Sequence, residues 1–282
     1  MMKRHLRLVP SWLLGCALFS STLAAQGEKI TLRTTPAPNQ TIRIGMTQNM
    51  SFDAASGALP SGTMKIEGVT AFQGTQRVGA PDAQGRITTE FSIDSMTIAM
   101  TLNGSPLPSP PLDSLKGKSF TVVYDATGKV EEVKASGETG AAMNSVKSMM
   151  GQLAGNLPNA TLGIGDSISV PVSLSIPVPG LSSGGEPINL EGSNTFKLVA
   201  TGRDGSDRLA TLELRTEAGM SGNLSLHMSG TGSMQWNVDK GFIKAGSNDL
   251  KLDLTMTMPG GTGTMNLNGT IHMVITGESR AP

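Results

Sequence analysis

The chain has 282 residues, with 22 basic and 22 acidic side chains, one cysteine, 35 glycines and 17 methionines. Balanced charge provides no electrostatic footprint for nucleic acid, and a lone cysteine excludes an internal disulfide framework. No segment stays apolar over the roughly 20 residues that a membrane-spanning helix needs.

Lys3, Arg4 and Arg7 precede an apolar run from Trp12 to Phe19, and small residues follow at Thr22-Leu23-Ala24-Ala25. This order predicts a signal peptide over 1–25, cleaved after Ala25 with Ala24 as the alternative, and hence export to the periplasm or extracellular space. Leu13-Leu14-Gly15-Cys16 resembles a lipobox, which would anchor the protein through a lipid on Cys16. Pro10 and Ser11 interrupt the apolar run before Cys16 and the run continues past it, so ordinary cleavage is preferred. Loss of Lys3, Arg4 and Arg7 from 22 basic residues leaves 19 against 22 acidic, a net charge of −3. The remainder, 26–282, is expected to form a single β-rich domain.

Alternation dominates that remainder, and alternation is the signature of a half-buried strand. Thr41 to Phe52 places Ile42, Ile44, Met46, Met50 and Phe52 at one parity, and Thr63 to Phe72 does the same with Met64, Ile66 and Phe72. Ile87, Phe91 and Ile93 alternate, and Met96, Ile98, Met100 and Leu102 continue at the other parity. A one-residue slip within a strand predicts a β-bulge near Asp94-Ser95. Ser105 to Asp113 reads as a polyproline-like connector. Ser119 to Tyr124 and Lys129 to Lys134 flank a turn at Asp125-Ala126-Thr127-Gly128.

One segment has a different period. Met143, Val146, Met150, Leu153 and Leu157 are spaced 3, 4, 3, 4, which predicts an amphipathic helix over Thr139–Leu157 ahead of Pro158. Beyond it, Leu162 to Asp166 is a tight loop, Ser167 to Pro177 an edge strand because of its prolines, and Gly180 to Pro187 a loop. Thr195 to Thr201 pairs with Asp207 to Glu217 across Gly202 to Gly205. Leu224 to Val238, a turn at Asp239-Lys240-Gly241, Phe242 to Lys244 and a hairpin over Asn248 to Thr276 complete the chain. Ser119–Gly137 loosely echoes Ser233–Ser247, consistent either with two related halves, about 30–137 and 160–277, or with the shared grammar of meander sheets.

The expected fold is mainly β: a large antiparallel, partly closed barrel or curved sheet with one amphipathic helix mid-chain. Met46, Met50, Met64, Met100, Met228, Met256, Met258, Met265 and Met273 fall at inward parity. These methionines either fill the core or line a soft apolar cavity. Copper is disfavoured because His227 and His272 lie at the parity opposite Met228 and Met273. A membrane barrel is disfavoured by aromatic content of 4%. Catalytic signatures are lacking: there is no G-x-S-x-G, H-E-x-x-H or P-loop, and Gly260-Gly261-Thr262-Gly263 joins strands rather than opening a helix. No enzyme activity, cofactor or metal is therefore expected.

"LKGKSFTVVYDATGKVEEV", "LGIGDSISVPVSL", "NTFKLVATGRDGSDRLATLEL" and "GTGSMQWNVDKGFIKAGSNDLKLDLTM" together resemble a family of exported bacterial β-rich proteins of unknown function. More distantly, a sheet around a helix is similar in plan to the periplasmic lipoprotein carriers and mycobacterial lipid carriers, a likeness that implies apolar-ligand binding and assigns no residues. The candidate ligand-binding residues are Met143, Val146, Met150 and Leu153 from the helix, with Met100, Trp236, Met256 and Met273 from the sheet. The expected partner is a lipid or other apolar small molecule, with membrane contact only peripheral or through Cys16. The alternative is a structural or protein-interaction envelope protein with a filled core.

Overall fold

Strands of β-branched, Leu and Met residues alternating with Ser, Thr and charged residues assemble into one long antiparallel sheet. In the computed structural model the described residues are 29–33, 35–56, 62–108, 116–135, 160–176, 188–220, 224–257 and 263–280. The strands are β1 (Ile30–Leu32), β2 (Gln40–Ser56), β3 (Thr63–Pro81), β4 (Ile87–Leu102), β5 (Ser105–Pro106), β6 (Ser119–Tyr124) and β7 (Val130–Ala135), followed by β8 (Ala160–Leu162), β9 (Ser167–Ile176), β10 (Ile188–Asp204), β11 (Asp207–Met220), β12 (Leu224–Asn237), β13 (Phe242–Thr257) and β14 (Thr264–Arg280).

Twelve strands form the main sheet in the order β7-β6-β4-β3-β2-β14-β13-β12-β11-β10-β9, with β5 folded back onto β4. Two meanders, β2 to β7 and β9 to β14, are thus joined along the β2–β14 ladder, from Thr41↔Arg280 to Ser56↔Met265. The three-residue strands β1 and β8 form a separate ribbon. β3, at 19 residues, extends roughly 60 Å at the usual rise per residue.

Two expectations are corrected. The sheet does not close into a barrel: β7 and β9 are its edges, each with one neighbour. Closure needs two edges able to exchange a ladder. β7 has only six residues and exposes Glu131, Glu132 and Lys134, and β9 carries Pro171, which has no N–H to donate. No helix occurs among the described residues, and the segment expected to be helical, Thr139–Leu157, lies outside them.

Several local readings hold. Gln73 pairs with Ser95 and Gly74 with Ile93, so Asp94 is the extra residue of a bulge, and Thr75 Oγ1 donates to its Oδ2 at 2.6 Å. Pro171 does lie on an edge strand, β9. Other limits shift. The β10–β11 ladder runs on to Asp204↔Asp207, leaving only Gly205-Ser206 as the turn. Ser105 and Pro106, expected in a connector, form β5 behind a tight turn at Asn103-Gly104, whose φ values of 50° and 79° suit a two-residue hairpin. Phe242 to Lys244 is the start of a 16-residue strand, with Lys244 bulged out between Trp236↔Ile243 and Gln235↔Ala245.

Parity divides the sheet into a polar outer face and an apolar inner face. One end of the inner face, the closed end, lies beside the turns at 82–86, 125–129, 205–206 and 238–241. There the β1–β8 ribbon inserts Ile30, Leu32 and Leu162 against Phe196, Leu198, Leu212, Met234 and Trp236. Beside this, Phe72, Phe91, Ile93 and Phe120 form a second cluster, with Phe72 and Phe91 stacked at 5.7 Å, and Ile42, Val78 and Phe242 form a third. Inner-face glycines allow neighbouring strands to crowd together. A Cβ on Gly192 would sit 2.0 Å from the Glu217 carbonyl oxygen, a contact no side chain can make.

Candidate ligand-binding face

Toward the opposite, open end, the inner face carries the same kind of side chain without the ribbon. Antiparallel registry aligns these residues in rows across five strands, β13, β14, β2, β3 and β4. One row is Leu252–Gly269–Phe52–Ile66–Leu102, and the next is Leu250–Ile271–Met50–Gly68–Met100. Further out lie Leu254–Leu267–Ala54–Met64 and the pair Met256–Met265. Apart from the two glycines and buried Ala54, every residue in these rows is half-buried, and the alternation along β14 is unbroken from Thr264 to Thr276. The glycines shape the floor: Phe52 lies across Gly269 and Met50 across Gly68, where an added Cβ would meet them at 2.0 and 2.9 Å.

From Met265 to Met273 this surface is about 26 Å long, and across five strands it is about 19 Å wide, at ordinary strand spacings. That length exceeds the apolar depth of one bilayer leaflet, half of roughly 30 Å. At about 500 Å² in outline, it matches the roughly 300–600 Å² of the largest apolar patch on an ordinary monomer, a patch that is often functional.

A mixed row, with polar Asn248, Gln48 and Thr70 beside Met273 and Ile98, ends the face on the closed side: Asn248–Met273–Gln48–Thr70–Ile98. Asn248 and Thr70 are buried, and among the described residues Asn248 Oδ1 has no hydrogen-bond partner. The Trp236 Nε1 is likewise buried and has no partner among the described residues. Each such group costs on the order of 1–3 kcal/mol.

The sequence-predicted residues divide three ways. Met100, Met256 and Met273 lie on the open inner face, although Met100 and Met256 stand on strands four spacings apart, roughly 19 Å along the sheet. Trp236 is not with them. At 3% exposure it sits under the ribbon in the closed core. Met143, Val146, Met150 and Leu153 lie outside the described residues. Ile271, Leu250 and Phe52 belong to the face as much as the methionines do. Their parity was legible, but nothing in the sequence separates a covered stretch of strand from a bare one.

On the outer face His272 Nδ1 lies 2.6 Å from Asp249 Oδ1, and His227 Nε2 3.8 Å from Glu217 Oε2. Both histidines thus face away from Met273 and Met228, as their parity requires. Among the described residues no three His, Cys, Asp or Glu side chains gather into a possible metal site.

The closed-end turns are pinned by carboxylates. Asp239 accepts from the Arg208 side chain and backbone, Asp207 from Lys240 and Asn237, and Asp125 from the Thr127 hydroxyl and two backbone amides. These donors hold all three carboxyls below the usual aspartate range, led by Arg208, Lys240 and Thr127 respectively. Lys244, bulged from β13, pairs with Asp204. Burial alone pushes the Tyr124 phenol up to about 12.

No known family model and no curated protein sequence matches the chain. The resemblance to exported β-rich bacterial proteins therefore rests on the motifs quoted above. Among solved structures the chain is similar to lipovitellin, in a structure described as showing lipid–protein interactions. The identity is 9%, the TM-score is 0.47, and the match covers 87% of this chain and 26% of that one. The chain thus spans about a quarter of that neighbour's length. A second match is the transport unit of the autotransporter AIDA-I from Escherichia coli, at 8% identity and a TM-score of 0.13, covering 92% and 93% of the two chains.

Proposed function

We propose that this is a non-enzymatic, exported cell-envelope protein that holds a lipid or other apolar ligand on the open half of its inner face. One observation carries the reading: Leu250, Ile271, Met50, Met100 and their neighbours form continuous, half-exposed apolar rows opposite a polar outer face. A ligand gains by covering such a surface at roughly 25 cal/mol per Å² removed from water. Methionines at its margin, Met256, Met265 and Met273, adapt to chains of differing shape. The 1–25 segment supplies the export signal, with a lipid on Cys16 as the less favoured mode of attachment.

Native mass spectrometry of the protein recovered from an exporting bacterial host tests this, with organic extraction of whatever co-purifies. The expected result is an adduct of lipid mass that extraction removes and added oleic acid restores. Ile271→Asp, which charges the centre of the face, should weaken that uptake at least tenfold. A clean protein mass that takes up no offered lipid would overturn the reading. It would leave the alternative of a structural or protein-interaction component of the envelope with a filled interior.

A further inference from the structure

The closed end carries a second candidate site, a cleft of about 870 Å³ walled by chain segments far apart in sequence. One wall is β1 with its flanking residues and the linker that follows, with Lys29, Thr31, Arg33 and Thr35. The others are the turns at Asp125–Gly128 and Val238–Gly241, with Gly85 and Ile87 between them. That volume lies in the range of small-molecule sites.

The walls are fixed rather than draped. Ile30 and Leu32 are nearly wholly buried in the ribbon-covered core, so alternation commits Lys29, Thr31 and Arg33 to the other side of β1. The following linker is tied to the opposite turn, with Ala37 N and Gln40 Nε2 both donating to the Lys240 carbonyl oxygen. Gly241 fits beneath it so closely that a Cβ there would lie 2.6 Å from the Thr35 carbonyl oxygen.

The charges in the lining are unevenly engaged. Asp125 is engaged by its own turn through one oxygen, Oδ1, which accepts from Thr127 N, Thr127 Oγ1 and Lys129 N at 2.6–2.9 Å. Asp239 is held by Arg208. Lys29 and Arg33 are exposed and have no ion pair among the described residues. They stand on one face of β1, about 13 Å apart along the strand, and both side chains are long enough to converge on one group. A guanidinium fork, an ammonium and nearby threonine hydroxyls together match the oxygens of a phosphate group.

We propose that this cleft binds a phosphate-bearing ligand through Lys29 and Arg33. The site stands at the opposite end of the sheet from the apolar face and does not depend on lipid being bound there.

Calorimetric titration with inorganic phosphate at low ionic strength tests it, beside flotation with vesicles of phosphatidylcholine alone or mixed with phosphatidylglycerol. Saturable phosphate binding is expected, weakened at least tenfold in Lys29→Ala/Arg33→Ala and by added salt, with an unchanged thermal midpoint. The control Arg43→Ala/Lys251→Ala removes two outer-face cations and should leave binding intact. Recruitment of the wild type, but not the Lys29/Arg33 variant, to phosphatidylglycerol vesicles would identify a lipid headgroup as the source. Phosphate binding without recruitment would identify a soluble phosphate ester. The proposal is overturned if neither probe binds, if the Lys29/Arg33 variant binds as well as the wild type, or if the control loses as much.

Discussion

Leu198 and Leu212, under the β1–β8 ribbon, are sealed from solvent, whereas Leu250 and Ile271, on the same face toward the other end, are only half covered. Strand type, parity and side-chain chemistry are alike at the two places. What differs is three residues of β1 paired with three of β8, across 130 positions of sequence. The comparison teaches that alternation specifies which face is apolar, while a short distant element decides whether that face becomes core or remains surface.

The largest test of this contrast is truncation on each side. Leu212→Ala should cost about 3–4 kcal/mol, the transfer and cavity terms of a sealed leucine. Ile271→Ala should cost about 1 kcal/mol, because half of its surface is already wet. Urea unfolding of both variants gives the difference, and equal losses would mean that the open face is as covered as the closed one.

The crowding of strands is sharpened by a glycine pair on one strand. Gly192→Ala, whose Cβ would strike the Glu217 carbonyl, should destabilise by about 2–3 kcal/mol. Gly202→Ala meets nothing within 4 Å and should be within about 0.5 kcal/mol of wild type by the same unfolding measurement.

Tyr124 tests burial near the closed end by titration. Its folded value near 12 lies above the ordinary 10.0, so the folded state favours the neutral phenol. Its contribution is complete below pH 10 and is lost as pH rises through the folded value, by roughly 2 kcal/mol. Circular dichroism of Tyr124→Phe should show a flatter alkaline limb between pH 10 and 12 with stability at pH 7 nearly unchanged.

The smallest effect is expected at the pinned turns. Asp239 has a lowered value in the folded protein, so its contribution is complete above the ordinary aspartate value of 3.8 and is lost as pH falls through the lower, folded one. Arg208→Ala should cost about 0.2–1 kcal/mol at pH 7 and shrink the difference between pH 7 and pH 3, as read from thermal midpoints.

Legibility in the sequence follows the range of the interaction. The strands, the Asp94 bulge and the edge character of β9 were readable because period, slip and proline act within a few residues. The ribbon was not, since Ile30-Thr31-Leu32 is too short to show a period and its partner lies beyond residue 159. Barrel closure was misjudged because the pairing of edges is a property of two strands that no local pattern links. Of the candidate site, parity placed Met100, Met256 and Met273 on the inner face but grouped Trp236 with them, since residues of one parity share a face whether or not they share a neighbourhood. The cleft at Lys29 and Arg33 is assembled from turns, and turns carry no signal of what they will stand beside.

The pairing of β2 with β14 places the first long strand beside the last, in the middle of the sheet. The two meanders can each form by local hairpin closure, but their seam joins Thr41 to Arg280 and must wait for the final strand. Folding should therefore end with a slow, high-contact-order zippering step. Until that step both seam edges, β2 and β14, stay open to other chains. Truncating the chain before Thr264 removes β14 and should leave the β2 and β13 edges permanently bare, turning a transient exposure into an aggregating one.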